Sequence, residues 1–157
     1  MSISEVLPET ESRASESTSA EVNRKIRLAM ERRVRTLARS GPNAINRRLE
    51  ELDHEWDIER TLEANASSAV LAGLVLGVTV DKRFFVLPGI VGAFLLQHAL
   101  QGWCPPLPLF RAMGIRTAKE INEERFALKS LRGDFRVVNS GPTAASNLEN
   151  VFTAVRA

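Results

Sequence analysis

The chain has 157 residues, of which 44% are hydrophobic and 25% charged, and its 21 Lys+Arg nearly balance 19 Asp+Glu. That composition fits one domain with tails, excludes a wholly disordered chain, and leaves overall charge uninformative about a partner. A single cysteine, Cys104, excludes an internal disulfide framework and a multi-cysteine zinc site. Two histidines, His54 and His98, are too few for a His-rich metal site. No metal and no cofactor is expected.

Residues 1–21 carry Glu5, Glu9, Glu11, Glu16 and Glu21 among many Ser and Thr, without an apolar stretch. They read as a disordered leader and not as a secretory signal. The pattern from Val22 to Ser40 is helical and basic. Val22, Ile26, Ala29, Met30 and Leu37 share a face, while seven Lys/Arg, Arg24 to Arg39, occupy the others. Gly41-Pro42 ends this helix. A second charged helix is expected from Asn43 to Ala64, with Ile45, Leu49, Leu52, Trp56 and Leu62 as its apolar stripe. Residues 22–63 thus form a charged, helical, cytoplasmic segment.

The composition then changes abruptly. Ala64–Val80 is 17 residues without a charge, Asp81-Lys82-Arg83 interrupts, and Phe84–Phe110 is 27 more. A 17-residue helix is about 26 Å long against a hydrocarbon core of about 30 Å, so each window alone is short for a span. As a pair joined by three residues they predict a transmembrane hairpin over 64–110, with helices near 64–80 and 84–103 and a Pro-rich exit. The competing expectation is a soluble bundle with two core helices, which usually show a polar face that these windows lack. The fold class expected is all-α.

Residues 22–63 hold ten Lys/Arg and residues 111–136 hold seven, against two in the turn, Lys82 and Arg83. The positive-inside rule then places both termini in the cytoplasm. Trp56 and Trp103 fall on the two cytoplasmic flanks as interfacial aromatics. Lys82 and Arg83 sit where their long stems can reach the opposite interface. Ala69, Gly73 and Gly77 recur every four residues, and Gly89 and Ala93 repeat that spacing in the second window. Such ridges serve close helix packing, inside one hairpin or between copies in a homo-oligomer.

Beyond the exit, Thr117-Ala118-Lys119-Glu120 has the form of a capping box. A basic amphipathic helix from Ala118 to Arg132 follows, within a segment 111–136, and Gly133 closes it. This helix either lies on an anionic lipid surface or packs on an unknown cytoplasmic protein. Residues 137–157 form a tail, with one short helix around Asn147–Val155.

The stretch from about Trp56 to Phe135 resembles the YgaP-like transmembrane family, a domain of uncharacterised function that some members carry fused to a rhodanese domain. The match rests on a charged approach (Asp57, Glu59, Arg60), two short apolar helices, Gly102-Trp103-Cys104-Pro105 and then Gly114-Ile115-Arg116-Thr117. The resemblance implies a short-helix inner-membrane hairpin, and self-association becomes a stronger expectation. Sulfur transfer does not carry over, because Cys104 lies at a membrane edge and not in a sulfurtransferase loop.

Cys104 is nonetheless the candidate reactive thiol, as a persulfide acceptor, an intermolecular disulfide partner, or a haem ligand with His98. Its bland counterpart is an inert packed thiol beside Trp103. His98 is expected to bond a carbonyl at its helix end. Glu50-Glu51 and Glu123-Glu124 read as solvated faces, since adjacent helical positions diverge. No catalytic constellation is visible. Three functions follow: a structural or interaction-type membrane protein, a thiol-dependent sulfur or redox accessory using Cys104, and a soluble helical nucleic-acid binder using Arg24–Arg48. Nine Lys/Arg in those 25 residues support the last, but no aromatic is interleaved with them.

Overall fold

A computed structural model describes Glu9 and residues 11–136; the short helix expected around Asn147–Val155 lies outside the described residues. Among the described residues every regular element is helical, so the fold is all-α. The helices are α1 (Arg13–Glu16), α2 (Ala20–Ser40), α3 (Pro42–His54), α4 (Ile58–Thr79), a 3₁₀ turn (Lys82–Phe85), α5 (Val86–Gln101), α6 (Leu107–Ala112) and α7 (Ala118–Arg132). They form two compact units. The first takes in the described residues up to Arg27 together with Trp56–Ile121; the second takes in Leu28–Glu55 and the described residues from Asn122.

In the first unit, α4 and α5 make the hairpin. The single charged helix expected over 43–64 is instead broken at Glu55–Asp57. Asp57 is the physical reason. Its carboxylate caps a new helix by accepting from the Arg60 N–H at 2.8 Å, and the free Ile58 N–H donates to Arg116 O at 2.7 Å. The charged residues Glu59, Arg60 and Glu63 therefore form the first turns of the apolar helix, which has 22 residues. Its length is about 33 Å, enough to cross a hydrocarbon core. At the other end Asp81 accepts from the Arg83 N–H at 2.8 Å and starts the 3₁₀ turn. Helix α5 ends at Gln101 rather than at Trp103, because Gly102 adopts a left-handed conformation with φ +75°.

Two glycines set the hairpin's closeness. A Cβ on Gly73 would lie 2.5 Å from Pro88 Cδ, and one on Gly77 would lie 2.7 Å from the Phe85 ring. Both are buried, so α4 approaches the start of α5 at backbone distance. Gly89, by contrast, has open space where its Cβ would be, and both it and Ala93 are exposed.

Residues 11–21 depart from the disordered leader. Helix α1 is anchored by Ala14, which is buried in a core with Ile58, Leu62, Cys104 and Leu107. Its small side chain lets α1 sit against Gly102, where any Cβ would fall 2.6 Å from Arg13 O. The Pro-rich exit carries a short helix of its own. Pro106 and Pro108 open α6 rather than prevent a helix, because first-turn N–H groups have no intrahelical partner to lose.

The second unit packs α3 on the end of α7, with α2 beside them. Ile45, Leu49 and Leu52 from α3 and Leu128 from α7 are buried. Arg125 pairs with Asp53 and donates to Leu52 O at 3.2 Å, and Arg132 reaches Asn46 at 2.9 Å. Glu124 is not on a solvated face. It is fully buried and accepts from Arg33 (3.2 and 3.1 Å) and Arg48 (2.9 Å).

Candidate functional site

The foot of the hairpin, where α4 begins and α5 ends, concentrates the polar chemistry of the first unit. Glu59, in the first turn of α4, bridges two partners. One carboxylate oxygen accepts from His98 Nε2 at 2.8 Å, and the other lies 3.3 Å from Arg13. His98 is buried, so its expected carbonyl partner is replaced by a carboxylate on the neighbouring helix. Its Nδ1 has no hydrogen-bond partner among the described residues.

Cys104 lies just past this foot. It is buried, and desolvation pushes its thiol pKa up, with the Glu59 charge acting in the same direction. A nucleophilic thiolate needs the opposite environment. The thiol faces an apolar cavity of about 220 Å³, bounded by Leu62, Ala66 and Ala69 of α4 and by Phe94 and Leu95 of α5. It is a small recess between the helices and is smaller than the pockets that usually enclose a ligand.

Arg111 is the residue that sequence reasoning missed. It is fully buried on α6 and donates to both carboxylate oxygens of Glu120 at 2.7 Å. It also reaches Ile115 O at 3.0 Å, Asn23 at 2.8 Å and Thr18 at 3.1 Å. The capping box is present as expected: Thr117 N–H donates to Glu120 at 2.8 Å, and Glu120 N–H to Thr117 Oγ1 at 3.2 Å. Burial alone would raise the Glu120 carboxyl. The guanidinium and the Thr117 N–H outweigh it and hold the group below the usual carboxylate range. Thr18 and Asn23 are 93 and 88 residues from Arg111 in sequence, so no local signal links them.

The remaining site residues are placed as follows. Trp56 and Trp103 flank the foot and are partly exposed, and Arg60 stacks 4.3 Å above the Trp56 ring. Lys82 and Arg83 are exposed at the opposite end. Gly73 and Gly77 lie in the hairpin seam, Ala69 borders the cavity, and Gly89 and Ala93 face outwards. The basic side chains of α7 are largely committed: Lys129 is buried, and Arg125 and Arg132 are ion-paired, so only Lys119 is left on an exposed position; Arg116, just before the helix, is buried as well.

The hairpin's surface decides between lipid and a soluble core. The apolar 18-residue windows within Pro42–Thr79 and Lys82–Gln101 are only 22% and 6% buried. A soluble core helix would bury most of such a window, so the two apolar helices support a membrane protein over the soluble bundle. In agreement, residues 57–120 match the family model described as "Inner membrane protein YgaP-like, transmembrane domain". No curated protein and no solved structure matches the chain.

Proposed function

We propose that the chain is an inner-membrane anchor of structural or interaction type, inserted with both termini in the cytoplasm. The observation that carries this reading is the polarity of the hairpin. All of the chain's Lys and Arg except Lys82 and Arg83 lie outside the uncharged windows 64–80 and 84–110 and the turn between them, with Arg60 in the first turn of α4 at the hairpin's foot. The interfacial tryptophans Trp56 and Trp103 share the foot. Reporter fusions test the orientation. A fluorescent protein at the C-terminus should fold and fluoresce in the cytoplasm, whereas alkaline phosphatase inserted at Lys82 should be active outside it. The reverse pattern would refute the orientation.

The outward Gly89-x-x-x-Ala93 ridge of α5 supports a homo-oligomer, because the Gly73/Gly77 ridge is already filled by Pro88 and Phe85 within the hairpin. Gly89→Leu should then lower the cross-linked dimer fraction in membranes, and an unchanged fraction would remove this seam. Cys104 acts in this reading as a packing group, since burial holds its thiol protonated.

A further inference from the structure

We propose that the cleft between α2 and α3 is a binding site for a phosphoryl anion, supplied by the headgroup of an anionic phospholipid. The cleft has a volume of about 440 Å³ and is lined by Arg32, Arg33 and Thr36 of α2 and by Arg47, Arg48 and Glu51 of α3. These arginines are of two kinds. Arg33 and Arg48 are fixed. Both fork onto the buried Glu124, and Arg48 also pairs with Glu51 at 2.9 Å and Glu55 at 3.1 Å. Arg32 and Arg47 are exposed and pair with no carboxylate among the described residues.

Two helices thus each contribute one unpaired arginine to the lining of a single recess, beside two arginines already held by Glu124. A tetrahedral oxyanion suits this arrangement, because each fork offers two parallel N–H donors and the like charges repel until an anion separates them. A divalent cation would be repelled. No aromatic side chain lines the cleft, so stacked bases have no platform, which favours a compact phosphodiester headgroup over RNA. Chain connectivity favours a lipid source: three residues, Glu55–Asp57, separate α3 from the helix that enters the apolar span. Anionic leaflets attract basic juxtamembrane segments. Only this choice of source rests on the membrane reading; the cleft's affinity for phosphate does not.

The test uses the full chain reconstituted in vesicles of equal phosphatidylcholine and phosphatidylglycerol, then extracted in mild non-ionic detergent. Retained lipid is counted by native mass spectrometry, and inorganic pyrophosphate and a short RNA are titrated separately. The variant R32Q/R47Q removes the free forks without touching the Glu124 pairs. The variant R27Q/R39Q removes the same charge from exposed positions outside the cleft. We expect phosphatidylglycerol to bind the wild type and R27Q/R39Q alike, and R32Q/R47Q about thirtyfold more weakly. Equal loss in both double variants would show diffuse attraction and overturn the site. Pyrophosphate binding that follows the cleft variant while lipid retention does not would keep the phosphate site and overturn the lipid source. RNA binding tighter than lipid, with the same variant dependence, would overturn the ligand class. Because reporter orientation is measured independently, failure of the anchor reading and failure of the cleft are distinguishable.

Discussion

Replacing Gly73 with alanine tests the hairpin seam at its tightest point. The added Cβ would stand 2.5 Å from Pro88 Cδ, 3.0 Å from Pro88 Cγ and 3.2 Å from Leu87 Cβ. An ordinary carbon–carbon contact is about 3.5–4.0 Å, so the helices must part by roughly 1 Å or more. The obstacle is a rigid pyrrolidine ring on a helical backbone, which cannot swing away as a flexible side chain would. Overpacking of this kind costs about 1–3 kcal/mol, and G73A should fall in the upper half of that range. Gly77→Ala meets the Phe85 ring at 2.7 Å, but Phe85 is 43% exposed and can rotate outwards. G77A should therefore cost less than G73A. Gly89→Ala, with no atom within 4 Å, is the control; it should be neutral, or stabilising by up to about 1 kcal/mol through helix propensity. Reversible unfolding in mixed micelles with increasing dodecyl sulfate, followed by Trp56 and Trp103 fluorescence, gives all three values. If G73A is as stable as G89A, the close approach of α4 and α5 at Pro88 is wrong.

Arg111→Ala should destabilise the protein by up to about 3 kcal/mol in the same assay, because it removes a fully buried side chain and leaves the partly buried Glu120 carboxylate without its partner; R111A/E120Q should recover part of that loss, and no recovery would mean that packing, not charge, dominates. The Glu120 pKa is lowered in the folded state, so its contribution is fully present above the ordinary carboxylate value of about 4.5 and is lost as pH falls through the depressed value. Stability measured between about pH 6 and pH 3 should therefore decline below about 4.5, and E120Q should flatten that decline. Asp53, lowered by its hydrogen bond with Arg125, contributes with the same sign. Cys104 should react with iodoacetamide at pH 8 at least about tenfold more slowly in the folded protein than after full denaturation, given burial and a raised pKa; equal rates would show an open thiol.

What could be read from the sequence was what is local. Helix α7 and its capping box depend on Thr117 and Glu120 three residues apart, and the hairpin depends on the absence of charge over two windows. The start of α4 carried a usable signal that was passed over, since Asp57 followed by Glu59 is an N-cap with an acid in the first turn. Composition misled at α1, where Ala14 is buried among Ile58 and Leu62 of α4 and Cys104 and Leu107 of the exit although its neighbours are Ser, Arg and Glu. The buried charges were the least legible. Arg111 and Glu124 look like members of solvated helical faces, and only contacts spanning 76–93 residues of sequence show otherwise.

Alkaline carbonate extraction of membranes from cells expressing the full chain, followed by sedimentation in detergent-free buffer, addresses the central claim that lipid covers α4 and α5. The protein should stay in the membrane pellet and require detergent for release. A protein washed into the carbonate supernatant and monodisperse in plain buffer would contradict it.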